Sequence, residues 1–481
     1  MTHNRSNQSH PWFKIGIASI FIVSVALRFW GLGRFNTLVF DEVYYAKFGN
    51  DYLTRTQFFN AHPPLSQYII AIGIWIGSHI PWWQNSLNGL SGSLRSPLSY
   101  RWLNALTGSF IPLVAAAIAY QLSYRRSFAL LAGLFTALDG LFLVESRYAL
   151  SDIYIVIFGL LAQLCLLLAL ANPKQQRKWL ILSGIAFGAS AGTKWNGLFF
   201  LLGIYLIWTT AWAIHYLQKI RSRSDQNVTS QTPLQNLTKL NALHIAFYLG
   251  IIPAITYSLI WIPHIILNPK YGFIEVHKQI LDFHERLGGN SPSVHPYCAA
   301  WYKWPLLTRP MAYLYQTAHS INDPLPVQGP PLPASAAKII YDVHAMGNPF
   351  LWWFAVAAIL FLTIILIKQA IASLKHPTSL TTETWIAIYL VINYAANLLP
   401  WVKVNRCAFI YHYMGAAIFG FLGVAYLVDL SLRSYRKELR TLGVTATFII
   451  IAAFIFWLPI YLALPLSPQD YRLRMWFESW I

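Results

Sequence analysis

The chain has 481 residues, of which 56% are hydrophobic and only 11% charged, and its formal net charge is +18. Soluble domains carry roughly 25% charged residues, so this composition excludes a water-soluble globular protein. The basic residues stand between apolar runs rather than on one face, which argues against nucleic acid as a partner and for topology signals in a lipid-phosphate environment.

Apolar runs of about 20 residues recur, each long enough to cross a hydrocarbon core of roughly 30 Å. They predict about eleven spans, at 14–33, 100–123, 127–145, 151–171, 178–194, 195–215, 243–266, 349–370, 384–402, 407–429 and 442–465. The first follows Arg5 and Lys14 as a signal peptide would, but Arg28-Phe29-Trp30 replaces small cleavage-site residues, so an uncleaved span is expected. The fifth and sixth are separated only by Lys194 to Gly197, where a bundle-facing break can place the lysine.

Lys and Arg in the short loops set the orientation. With the N-terminus inside, Arg125-Arg126, Lys174, Arg177, Lys178, Lys219, Arg221, Arg223, Lys368, Lys375, Arg433, Arg436, Lys437 and Arg440 are cytoplasmic. Of the 17 acidic residues only Asp225, Glu383, Asp429 and Glu438 share that side. Acidic residues contribute little to topology, so their outward bias suggests function. The sequons at Asn227 and Asn236 fall in an inner loop and carry no weight.

Residues 1–481 then read as a single membrane domain in which two long segments, 34–99 and 267–347, and the tail 466–481 lie on the extracytoplasmic side. Within the first, Ser66 to Trp83 is expected to form an interfacial helix, because a twelfth span there would invert every later basic loop. Among the three cysteines, Cys165 falls in an apolar run, and whether Cys298 and Cys407 pair is not legible.

The chemistry concentrates beyond the first span, at Asp41-Glu42. Adjacent carboxylates near an apolar surface raise one another's pKa, which makes a usable general base. The plainer reading is a helix start, with Asp41 as cap and Glu42 in the first turn. His62-Pro63-Pro64 is a rigid turn that either aims His62 at the site or opens the interfacial helix. Arg101, Arg147, Lys194 and Arg406 gather on the same side. Singly each suits snorkelling or pairing with Asp139, Glu145 or Asp152; together they suit an anionic lipid whose phosphate departs. The second loop carries His295-Pro296-Tyr297 and an aromatic run ending at Arg309, suited to a membrane interface or to sugar faces. His62, His295 and His412 lack metal-ligand spacing, so no metal is expected.

Taken in order, these motifs resemble the protein O-mannosyltransferase family, polyprenyl-phosphate-dependent glycosyltransferases of the GT-C membrane fold. The likeness covers almost the whole chain: Asp41-Glu42, His62-Pro63-Pro64-Leu65, Ser146-Arg147 to Asp152, and Gly192-Thr193-Lys194-Trp195-Asn196-Gly197. It continues through His295-Pro296-Tyr297, Trp304 to Pro310, Gly347 to Trp353, and Arg406 with Phe409 to Tyr413. The resemblance implies an all-α polytopic protein with short interfacial helices in its outer loops. It also implies inverting transfer of mannose from a polyprenyl-phosphate-mannose donor to Ser/Thr hydroxyls of exported proteins, at the extracytoplasmic face of the plasma membrane and without a cofactor. Asp41 would be the base and Glu42 would orient the acceptor or tune Asp41. The donor phosphate would meet Arg101, Arg147, Lys194 and Arg406, with His62, His295, Tyr297, Arg309 and His412 positioning substrate.

Two departures stand out. Ser66-Gln67 replace the Gly-Lys that usually follows the HPPL element, and the second loop is too short for a β-trefoil MIR domain, which suits a bacterial-type member. Two rival readings remain: a GT-C transferase acting on a lipid or glycan, and a flippase for a lipid-linked substrate. The second predicts mid-bilayer charges and related halves.

Overall fold

The computed structural model describes residues 11–221, 232–289, 293–327, 332–333, 335–375 and 380–481. Arg5, Arg223, Asp225 and Asn227 lie outside them.

In chain order the helices begin with α1 (Pro11–Phe29), α2 (Glu42–Thr54), α3 (Leu65–Ser78), α4 (Pro97–Ser123), α5 (Arg126–Ala137) and α6 (Gly140–Arg147). There follow α7 (Asp152–Ala171), α8 (Gln176–Ala191), α9 (Leu198–Arg221), α10 (Ala242–Ala246), α11 (Ile252–Leu267) and α12 (Phe273–Arg286). After strands β1 (Met311–Ala318) and β2 (Ile339–Ala345), the chain closes with α13 (Pro349–Lys375), α14 (Thr382–Leu398), α15 (Met414–Leu432), α16 (Lys437–Tyr461) and α17 (Pro468–Arg474).

Among the described residues, nine helical stretches are long and apolar enough to cross a membrane. The pair α5–α6, bent by 60°, is a broken tenth span or a re-entrant loop. The eleventh expected span is α8, whose 16 residues extend about 24 Å at 1.5 Å per residue. The bend has a local cause: Asp139 leaves the helical region and caps α6, accepting from the Phe142 amide.

Three outer helices lie off the bundle. Helix α3 falls where an interfacial helix is expected and is too short to count as a span, burying Ile70 and Ile74 against its neighbours while Ile72 and Trp75 stay exposed. Helix α2 carries the acidic pair at its start, and α12 buries Val276 and Ile280 on one face.

The predominantly helical fold carries one small sheet. The second outer loop contains an antiparallel pair, β1 with β2, joined by a single bridge (Ile340 to Leu466) to the tail after α16. The tail is packed rather than free, since Trp480 is fully buried and its indole donates to the Leu307 carbonyl at 2.6 Å.

The tenth predicted span also begins too early. Residues 404–409 are extended and pair with the second loop, through Cys407 N to Gly288 O (2.9 Å) and Ala299 N to Ala408 O (2.9 Å). Cys298 and Cys407 form a disulfide there, with Cα atoms 5.2 Å apart. Local hydropathy could not show this, because the partners are 109 residues apart.

Candidate active site

The two carboxylates of the acidic pair have opposite surroundings. Glu42 is fully buried. Its Oε1 accepts from Arg101 Nε (2.9 Å) and the Ala149 amide (2.8 Å), and its Oε2 from Arg101 Nη2 (2.7 Å) and the Val39 amide (2.8 Å). Both oxygens are therefore occupied by the fold. Of the two expected roles for Glu42, direct contact with the acceptor is corrected, because it anchors the start of α2 between α4 and the segment after α6; its adjacency to Asp41 leaves the tuning role in place.

Asp41 is partly open and makes no capping bond to α2. Its main-chain carbonyl accepts from Tyr44 and Tyr45, which turns the helix while leaving the carboxylate free. Burial raises its pKa to about 6, against an opposing pull from Lys194 and with a further push from Asp152. The result is a carboxylate that ionises near neutrality, suited to taking a proton.

The four predicted cations divide. Arg101 donates to Glu42 and to the carbonyls of Leu32, Phe35 and Thr37, leaving nothing for a phosphate. Arg147 donates through Nη1 to the carbonyls of Leu27, Arg28 and Trp30, closing the C-terminal end of α1. For Arg101 the expectation of phosphate contact is corrected, since all its donors are committed within the fold, whereas Arg147 commits Nη1 alone. Lys194 sits at the break between α8 and α9, in extended backbone, with its ammonium 2.5 Å from Asp152 Oδ2 and over the rings of Tyr45 and Tyr411. Arg406 remains half-buried, bonded through Nη1 to its neighbour's carbonyl at 3.0 Å.

Three imidazoles complete this wall. His62 and His284 have ring centroids 5.3 Å apart, and His284 Nε2–H donates to the Ala61 carbonyl at 3.0 Å. The Leu65 amide donates to the Gly192 carbonyl (3.0 Å), which ties the HPPL turn to the Lys194 break. Burial, then the nearby cations, hold His62 well below its ordinary pKa, and burial takes His284 down to about 4. Both are neutral at pH 7 and act as hydrogen-bonding groups rather than charges. His412 stacks on Trp304 and lines a small cavity with Asp152, Asn196 and Tyr411.

His295, Tyr297 and Arg309 do not join this cluster. Arg309 lies under the Tyr297 ring and donates to the carbonyls of Pro296, Ser479 and Ile481, so it fastens the tail. His295 packs against Tyr297 and Phe409. Ser66 and Gln67 are fully buried in α3, with the Ser66 hydroxyl donating to Gln67 Oε1 at 3.1 Å.

Sequence reading passed over His284. A signal existed: His277, Ile280 and His284 share one face of the amphipathic α12, whose buried Ile280 shows that this face turns inward. Asp152, seen only as a possible partner for a snorkelling cation, proves to be the counter-ion of Lys194. Among the described residues no group of three His, Cys, Asp or Glu is placed to hold a metal ion.

Comparison with known proteins gives a consistent neighbourhood. Residues 18–267 match the model of the dolichyl-phosphate-mannose-protein mannosyltransferases, and residues 269–480 that of the C-terminal four-span region of protein-O-mannosyltransferase. A polyprenol-phosphate-mannose–protein mannosyltransferase of Mycolicibacterium smegmatis is 24% identical over 96% of this chain and 92% of its own. One from Corynebacterium glutamicum is 22% identical over 87% and 81%. A protein O-mannosyltransferase complex of S. cerevisiae bound to the sugar donor shares the fold, with a TM-score of 0.77 at 15% identity, over 98% of this chain and 93% of that one.

Proposed function

The chain belongs to the dolichyl-phosphate-mannose-protein mannosyltransferase family, and from that premise we propose how its residues carry the reaction. It is a polytopic mannosyltransferase that moves mannose from a polyprenyl-phosphate-mannose donor to protein. The acceptor atom is a Ser or Thr hydroxyl oxygen. Asp41 takes the hydroxyl proton as that oxygen bonds to the anomeric carbon, the bond from that carbon to the phosphate oxygen breaks on the opposite face, and the configuration inverts. The lipid phosphate leaves as the anion.

The observation that carries this reading is the split of the acidic pair. Asp41 alone is open, with a pKa near neutrality, and it stands in the field of Lys194. Arg406 faces the departing phosphate, while on the same wall neutral His62 has one N–H to donate and His284, its Nε2–H spent on Ala61, can only accept at Nδ1. Lys194, paired with Asp152, holds the electrostatic balance around Asp41. The sugar arrives already activated on lipid, so no cofactor is required.

The site faces the extracytoplasmic side of the plasma membrane. The basic inner loops support that orientation. So does the disulfide between Cys298 and Cys407, because such bonds persist in oxidising compartments. Treated unfolded with a maleimide polymer, the chain is expected to gain one adduct before reduction, at Cys165, and three after it. Three adducts without reduction would remove the bridge as support.

The test of function is transfer of labelled mannose from polyprenyl-phosphate-mannose to a Ser/Thr peptide. Label on the peptide, lost when Ser and Thr become Ala, is expected. Label on a lipid or glycan and never on peptide would overturn the protein acceptor. In the same assay Arg406→Ala should lower kcat by about 10²-fold, the usual cost of one charge-stabilising donor, with Arg406→Lys recovering part of it. An unchanged rate would remove Arg406 from the phosphate site.

A further inference from the structure

Phe40 turns through φ +53, the left-handed region that disfavours any residue with a Cβ. Its surroundings hold it there. The Phe40 ring lies flat on Tyr313, with centroids 4.1 Å apart and planes 13° from parallel. Tyr411 approaches it at 6.0 Å.

Tyr313 is itself specially placed. Ala312 pairs with His344 and Leu314 with Val343, so Tyr313 is the extra residue of a bulge in the β1–β2 ladder. Bulges of this kind re-aim one side chain and recur beside active sites. The ring is buried, and its hydroxyl donates a short hydrogen bond to the Glu145 carboxylate on α6. The next residue after Phe40 is Asp41, and Glu42 beyond it is fixed by Arg101. Asp41 is thus suspended between two anchors: an ion pair to α4 and an aromatic stack to the second outer loop.

We propose that Tyr313 is a positioning residue for mannosyl transfer, holding Phe40 in its left-handed turn and so fixing where the Asp41 carboxylate stands. This rests on Asp41 being the base. Tyr313 acts through Phe40, so its loss displaces the base and leaves donor binding intact. The bulge also makes the second loop, distant in sequence, part of the catalytic geometry.

The experiment compares Tyr313→Phe with Tyr313→Leu in the peptide-transfer assay across pH 5 to 8. The Phe variant keeps the ring and should stay within about threefold of wild type in kcat, since the stacked face is retained. The Leu variant should lose about 10²-fold in kcat, the cost of misplacing a reacting group by about 1 Å, with donor KM little changed. Its acid limb should move from about 6 toward the ordinary carboxylate range as water reaches Asp41.

Wild-type activity with an unmoved limb in the Leu variant overturns the proposal. So does equal loss in both variants, which would assign the effect to the hydroxyl on Glu145, or a raised donor KM at unchanged kcat. Should Tyr313→Leu not elute as a folded species in detergent, Phe40→Leu removes the same stack from its other partner and must give the same profile. Wild type run alongside separates the two readings: absent peptide labelling there rejects the protein acceptor, whereas labelling that Tyr313→Leu leaves intact rejects only the positioning role.

Discussion

Asp41→Asn should abolish most transfer, lowering kcat by about 10²- to 10⁴-fold, the range spanned by general-base catalysis. The asparagine keeps the shape of the side chain but cannot accept the hydroxyl proton. Nothing in the fold depends on the carboxylate, because Asp41 makes no capping bond and the neighbouring Glu42 holds the helix start. The variant should therefore elute and melt as wild type does and bind donor normally. Transfer that survives would remove Asp41 as the base and leave the family membership untouched.

The pH dependence follows from the same group. Burial raises the Asp41 pKa to about 6, so below that value the carboxyl is protonated and cannot act, and above it the base is available. The log of kcat/KM should rise with pH through about 6 and then level. An ordinary aspartate would place that limb near 4, about two decades of acid away. The limb should be absent from the residual activity of Asp41→Asn, which separates Asp41 from the imidazoles beside it.

Arg101→Met carries the second large effect, on stability. It leaves Glu42 as a buried carboxylate with no counter-charge, a change that typically costs about 3–5 kcal/mol. Three carbonyls, of Leu32, Phe35 and Thr37, lose their donors as well. A marked drop in melting temperature in detergent is expected, with transfer failing alongside the fold. The double variant Arg101→Met with Glu42→Leu should cost less than the two single changes added together, because the unpaired charge is gone. Additive losses would show that the pair does not act as a unit. Were Arg101 instead a phosphate ligand, the single variant would keep its melting point and raise donor KM.

Hydropathy alone was enough to find the long apolar helices, since a candidate span depends on about 20 neighbouring residues and on nothing remote. The α3 element was legible in the same way, its apolar run being too short and too broken to cross. The chain-order motifs likewise brought Asp41, His62, Lys194, Arg406 and His412 to attention before any geometry, and the structure gathers them. Helix α8 and the bent α5–α6 pair mark the edge of that legibility, where a break inside an apolar stretch is set by a buried polar group.

Roles were decided elsewhere. Asp41 and Glu42 look equivalent as letters, and only the folded chain puts Arg101, 59 residues on, against one of them. Arg147 reads as a candidate phosphate ligand, and only the fold turns its Nη1 onto the open carbonyls of α1. His284, Tyr313 and the bridge at Cys407 come from loops whose partners lie up to more than 200 residues away in sequence. The sequence by itself determined which stretches are helices long and apolar enough to cross a membrane, because hydropathy is summed over neighbours. Which carboxylate stays open, which cation stays free and what holds the base were left to tertiary structure. Those properties depend on desolvation and on partners that meet only when distant segments pack.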